Sequence, residues 1–161
     1  MKNNRNMKRK GFTLVELLIV IVVIGVLSAM MMLSSTEAVS SARASNIVSN
    51  LRNLKTAALA YYIDHVDSYD RATVTDNISS HKADIMKYMG NDGGNVNDDY
   101  TFTGTTSNTW YVAYHIQNDP NVKSKLAGRA GSTNLVQGDS NTGLSSTDVY
   151  KTKDYVGMFI R

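Results

Sequence analysis

The chain reads as an α+β protein: a long N-terminal α-helical stem, half of it apolar enough to be transmembrane, packed on a small antiparallel β-sheet. Three patterns predict this. Phe12 to Leu33 is an apolar run of 22 residues with Glu16 as its only charge. From Thr36 to Ile63 there is no Gly or Pro, and Ile47, Leu51, Leu54, Ala58 and Tyr62 recur three or four residues apart, as one stripe of an amphipathic helix does. Between Trp110 and Ile116 the alternation shifts to a period of two, which is that of a strand.

At roughly 1.5 Å of rise per residue the apolar run makes about 33 Å of helix, enough to cross the hydrocarbon core of a bilayer. The flank before it holds Lys2, Arg5, Lys8, Arg9 and Lys10 and no acid, a bias that keeps the N-terminus cytoplasmic and sends the remainder outward. Ser28 with Ala29 could pass for the cleavage site of an ordinary secretory signal. That reading leaves Glu16 unexplained, because an acid near the start of a membrane segment costs a few kcal/mol and usually signals a function with a partner. A carboxylate that merely reaches back to the interface is the plainer alternative. Thr13 and Ser28 are assigned no role, since hydroxyls in apolar helices often bond back to the preceding turn.

The basic leader, Gly11, Phe12, Thr13, Leu14, Glu16 and the aliphatic run after them resemble the prepilin signature of type IV pilins and type II secretion pseudopilins. The resemblance covers about 25 residues and implies a pilin-like fold. It also implies that prepilin peptidase cuts between Gly11 and Phe12 and methylates the new amine of Phe12. The expected organisation is then a leader peptide at 1–11, a hydrophobic assembly helix at 12–35 and a globular domain at 36–161 that includes the outer half of the stem. The new α-amine of Phe12 is the natural partner for the carboxylate of Glu16 in a neighbouring subunit, because either charge buried alone would be heavily penalised. A proline that many pilins carry some eight residues after Gly25 is missing, and Leu33 stands there; a straighter helix is expected.

Charge is reread once the leader is set aside. The whole chain is formally +3, but the leader holds five of the 17 basic residues and none of the 14 acidic ones. Twelve basic against fourteen acidic side chains remain, a net of −2. From Asp64 onward the balance is nine basic against twelve acidic, or −3, which lacks the footprint of a general nucleic-acid binder. Lys123, Lys125 and Arg129 cluster without an aromatic stacking series, so a solvated face is expected there.

Within the stem, Gly25 and the pair Ser34 and Ser35 are candidate soft points. Asp64 to Asp76 breaks the helical pattern. A short helix is expected from Ser80 to Met89, capped by Ser79 or Ser80, with Ile85, Met86 and Met89 as its apolar face and Gly90 as its stop. Strands follow at Tyr100 to Thr103 and Thr109 to Gln117, joined by a turn at Gly104 to Asn108. One face of the second strand should close over the helix while the other meets solvent or a neighbour. Asn118 to Thr147, rich in Asn, Ser, Gly and Thr, reads as loops with one strand near Leu135 and Val136. A final strand is expected at Tyr155 to Ile160 and a weaker one at Val149 to Thr152.

No enzyme is expected. His65, His81 and His115 lack the close spacing of a helical metal site and read as surface or packing residues, and no G-x-S-x-G elbow occurs. There is no cysteine, so the disulfide loop of many type IV pilins has no counterpart, and packing, ladder hydrogen bonds or a metal must replace it. Calcium takes clustered oxygen ligands, which Asn91 to Asp99 and Asp139 to Asp148 offer. Since core pseudopilins bind calcium in their C-terminal loops, Asp139, Asn141 and Asp148 are the candidate ligands. Asx and Gly also serve any solvated loop. No other cofactor is implied.

Three functions fit. The first is a structural subunit of a type IV pilus, inserted in the inner membrane, processed by prepilin peptidase and polymerised with identical or related subunits at an inner-membrane assembly platform into an extracellular filament. The second is a type II secretion pseudopilin in a periplasmic fibre. The third is a membrane-anchored binding domain that never polymerises.

Overall fold

The computed structural model describes residues 11–65, 78–90, 98–104 and 109–161. It is an α+β arrangement of a long helix and a four-stranded antiparallel sheet. The chain divides into two compact units after Ala38.

Helix α1 runs from Leu14 to Asp64. Gly25 and Ser35, expected as soft points, are helical. At the exit from the apolar run the hydroxyls of Ser35 and Thr36 donate to the carbonyls of Met31 and Met32 at 3.0 and 3.2 Å, so their polar groups are satisfied without breaking the helix.

In the second unit, Ala44, Ile47, Val48, Leu51, Leu54, Ala58 and Tyr61 form the buried face of α1. The expected stripe is there, except that its last member is Tyr61. Tyr62 is half-buried and meets Trp110 edge-on at 5.4 Å. The guanidinium of Arg161 lies over both rings, 4.1 Å from Tyr62 and 4.8 Å from Trp110, a cation–π contact.

Strands β1 (Tyr100–Gly104), β2 (Trp110–His115), β3 (Leu135–Gly138) and β4 (Tyr155–Phe159) form the sheet in the order β1-β2-β4-β3. Phe102, Trp110, Val112, Leu135, Val156 and Met158 share one core with the buried face of α1. Asn50 Nδ2 donates to the Tyr100 hydroxyl at 3.1 Å, tying helix to edge strand.

The other sheet face is not left to solvent or a neighbour as expected. Tyr111 and Ala113 are buried with Val136 and Leu144 in a second cluster. Leu144 comes from the connection between β3 and β4, which folds back over the sheet. Gly157 makes room for it: a Cβ there would lie 2.6 Å from the Val112 carbonyl oxygen and 3.2 Å from Leu144 Cδ1, the close approach that a glycine inside a strand permits.

Two further corrections concern Asn118 to Thr147. Helix α3 spans Pro120–Ala127 and a single turn, α4, spans Ala130–Thr133. Asp119 caps α3, accepting from the amides of Asn121 and Val122 at 3.1 Å each, while Pro120 occupies the first turn and Val122 and Leu126 point inward. Asn134 ends α4 in the left-handed region, φ 53°. The weaker strand near Val149 reduces to one bridge, Val136 to Val149. Even so, Gln137 N donates to the Asp148 carbonyl at 3.1 Å and Tyr150 N to the Leu135 carbonyl at 2.8 Å, which closes the outer edge of β3.

Ile78–His81 is a 3-10 turn leading into α2, Lys82–Lys87. Its N-cap position is His81, whose side chain does not cap the helix, rather than Ser79 or Ser80. Ile85 is buried, Met86 and Met89 pack against the core, and Gly90 has φ 76°, as a stop requires. The expected turn at Gly104 to Asn108 and the first calcium loop at Asn91 to Asp99 lie largely outside the described residues.

Candidate processing and assembly site

The site is built on the first turn of α1. Leu17 N donates to the Thr13 carbonyl at 3.2 Å, which makes Thr13 the N-cap and leaves Gly11 and Phe12 outside the helix. Thr13 Oγ1 accepts from Glu16 N at 3.2 Å, and Glu16 Oε2 accepts from Thr13 N at 2.8 Å and from Thr13 Oγ1 at 2.9 Å. This is a capping box, in which residues at the cap and three positions on satisfy each other's amides. Thr13, which sequence reasoning passed over, therefore has a defined partner. The T-x-x-E spacing ahead of an apolar run is the signal for it in the sequence.

An acid in the first turn also suits the positive end of the helix dipole. Both of these contacts to the carboxylate fall on Oε2. A Cβ at Gly11 would meet nothing within 4 Å among the described residues.

Beyond the cap, Leu14 to Leu27 present their large apolar side chains at half exposure or more, and Phe12 is 91% exposed. By length and composition α1 can cross a membrane. A surface this apolar and this long is not stable in water; lipid or other copies of the helix must cover it.

The other candidates lie in the second unit. Asp139 is engaged by Lys153 Nζ at 2.7 Å, Asn141 is half-buried and Asp148 is exposed. No group of three His, Cys, Asp or Glu side chains arranged to hold a metal occurs among the described residues. His65 stacks on Tyr61 at 4.3 Å, His81 lies 5.6 Å from the same ring, and His115 stacks on Tyr155 at 4.7 Å. All three histidines thus pack against tyrosines. Lys123 pairs with Asp154, holding that carboxyl below its usual value, and Arg129 donates to Ser45 and Ser41 at 2.6 and 3.0 Å.

A basic flank, a glycine, a capped helix start and an exposed apolar helix fit a precursor that inserts in a membrane. Residues 6–32 match the model of the prokaryotic N-terminal methylation motif, the prepilin signal of type IV pilins and pseudopilins. The chain carries that signal, and the signal with its apolar helix fits insertion in the inner membrane. Compared with curated proteins and with solved structures, the chain finds no match.

Proposed function

We propose that the protein is the structural subunit of a type IV pilus. The observation that carries this reading is the exposed apolar helix that begins at Leu14, three residues after Gly11, and holds a single acid, Glu16, in its first turn. Prepilin peptidase adds water across the Gly11–Phe12 bond, leaving a carboxylate on Gly11 and an ammonium group on Phe12. Methyl transfer from a sulfonium donor then replaces one amine proton of Phe12 with a methyl group. The positive leader keeps the N-terminus in the cytoplasm, and the second unit lies outside the membrane. On assembly the helix leaves lipid for a filament of like helices, and the Phe12 ammonium of one subunit meets the Glu16 carboxylate of the next.

Mass spectrometry of the mature N-terminus tests this. The expected product begins at N-methyl-Phe12. Gly11→Ala or a bulkier residue should leave a larger, uncut membrane form, and normal mature protein in sheared filaments of that variant would overturn the assignment. The lack of cysteine favours a second reading, a pseudopilin of type II secretion, which shares the signal. Fibres confined to the periplasm would decide for it.

A further inference from the structure

Thr13 differs from other hydroxyl residues of α1. Ser35, Thr36, Ser45 and Thr56 return their hydroxyls to carbonyls four residues back. Thr13 instead sits at the helix start, where its hydroxyl both accepts from the Glu16 amide and donates to the Glu16 carboxylate. The helix therefore begins at Leu14, with Gly11 and Phe12 in non-helical backbone and Phe12 91% exposed.

This matters for a bond that is to be hydrolysed. A peptidase must reach the carbonyl carbon and take up the flanking backbone groups, and inside a helix those groups are already bonded to the neighbouring turns. We propose that Thr13 is a positioning residue for processing: by capping α1 it holds the Gly11–Phe12 bond in unwound, exposed chain for a peptidase that cuts extended backbone. Thr13 touches neither the water nor the reacting carbonyl. It sets where the helix stops, and so which bond is open. The inference rests on the reading of Gly11–Phe12 as the processed bond.

An N-cap of this kind biases the local equilibrium by roughly fivefold. Full-length precursors inserted in membranes with prepilin peptidase are compared by the initial rate at which mature chain appears, normalised to inserted precursor, with the N-terminus identified by mass. Thr13→Ser and Thr13→Asn, which both cap, should be cut within about twofold of the native rate. Thr13→Val, close in shape but unable to cap, should be roughly fivefold slower.

Thr13→Val cut as fast as the native chain would overturn the proposal. So would Thr13→Asn as slow as Thr13→Val, since the peptidase would then be reading the shape of the side chain rather than the cap. A native precursor left intact between Gly11 and Phe12 would instead overturn the processing reading itself, and this inference with it.

Discussion

The two units of this chain handle burial in opposite ways. From Phe12 to Met32 the large apolar side chains described are exposed, and among the described residues the carboxylate of Glu16 is held by Thr13, within its own turn. From Val39 onward one core joins helix and sheet, a second closes the far sheet face, and the edge of β3 is bonded to the chain that follows it. The second unit buries its own apolar faces without a disulfide, whereas the first is left for something else to cover. Membrane or filament can supply that cover, and the difference predicts which substitutions affect assembly and which affect only folding.

The largest effect should come from removing charge in the first unit without disturbing its local structure. Glu16→Gln keeps the capping box but offers no anion to the Phe12 ammonium, so precursor should insert and be cut while sheared filament falls at least tenfold, roughly the effect of 1.4 kcal/mol or more per contact repeated along the fibre. Filaments at the native level, scored by electron microscopy and immunoblot, would show that the two units differ less in their need for partners than their surfaces indicate.

The opposite test belongs in the second unit. Leu51 and Leu54 are fully buried, and truncation of either to Ala should cost about 2–5 kcal/mol. Gly157→Val drives a side chain toward the Val112 carbonyl and Leu144 and should cost about 1–3 kcal/mol or more by overpacking. Both should lower the thermal midpoint of the second unit, measured by circular dichroism, yet leave cleavage at Gly11 unchanged. Impaired cleavage would mean that the peptidase depends on the folded outer unit.

Much of this contrast was legible in the sequence. The stem declares itself because a 22-residue apolar run and a Gly-free amphipathic stripe are strong periodic signals. Strands β2 and β4 follow from β-branched and aromatic residues. Helix α3 was missed because only Val122 and Leu126 anchor it in a polar stretch, although Asp119 and Pro120 carried a start signal. The second sheet face was misjudged for a different reason. Leu144 is one apolar residue among Ser, Thr and Gly, and only tertiary structure shows that it lands on Gly157. At the site, the spacing of Gly11, Phe12 and Glu16 is readable, while the role of the Thr13 hydroxyl is not, because such groups usually bond back within a helix.

Alkaline pH separates the units by a milder route. Burial pushes the Tyr100 hydroxyl up to about 12, and the Tyr150 hydroxyl is raised as well, again mainly by burial. A tyrosine whose folded value lies above its unfolded value near 10 keeps its proton in the folded state after the unfolded chain has lost it. Stability is then fully present below pH 10 and declines as pH rises from about 10 toward 12. Denaturant midpoints of the second unit should fall over that window. Tyr100→Phe should flatten the decline while costing about 1 kcal/mol at neutral pH through the lost contact with Asn50. An unchanged slope would show that Tyr100 ionises equally well folded and unfolded.

The finest comparison is between two contacts of the second unit that look alike on paper. Asp119 accepts two backbone amides at the start of α3, and Asp139 accepts from Lys153 at 2.7 Å. The first satisfies donors that the helix cannot satisfy itself, so Asp119→Ala should cost about 1 kcal/mol. The second joins side chains that are 37% and 84% exposed, where water and salt compete for both charges, and Lys153→Ala should cost about 0.5 kcal/mol or less. Raising the salt concentration should erase the Lys153 effect and leave the Asp119 effect largely in place, because screening weakens an exposed ion pair far more than a cap to backbone amides. If Lys153→Ala proves the costlier change in denaturant titrations at both salt levels, the pair is pinning the connection that carries Leu144 over the sheet, and closure of the second unit depends on charge as well as on packing.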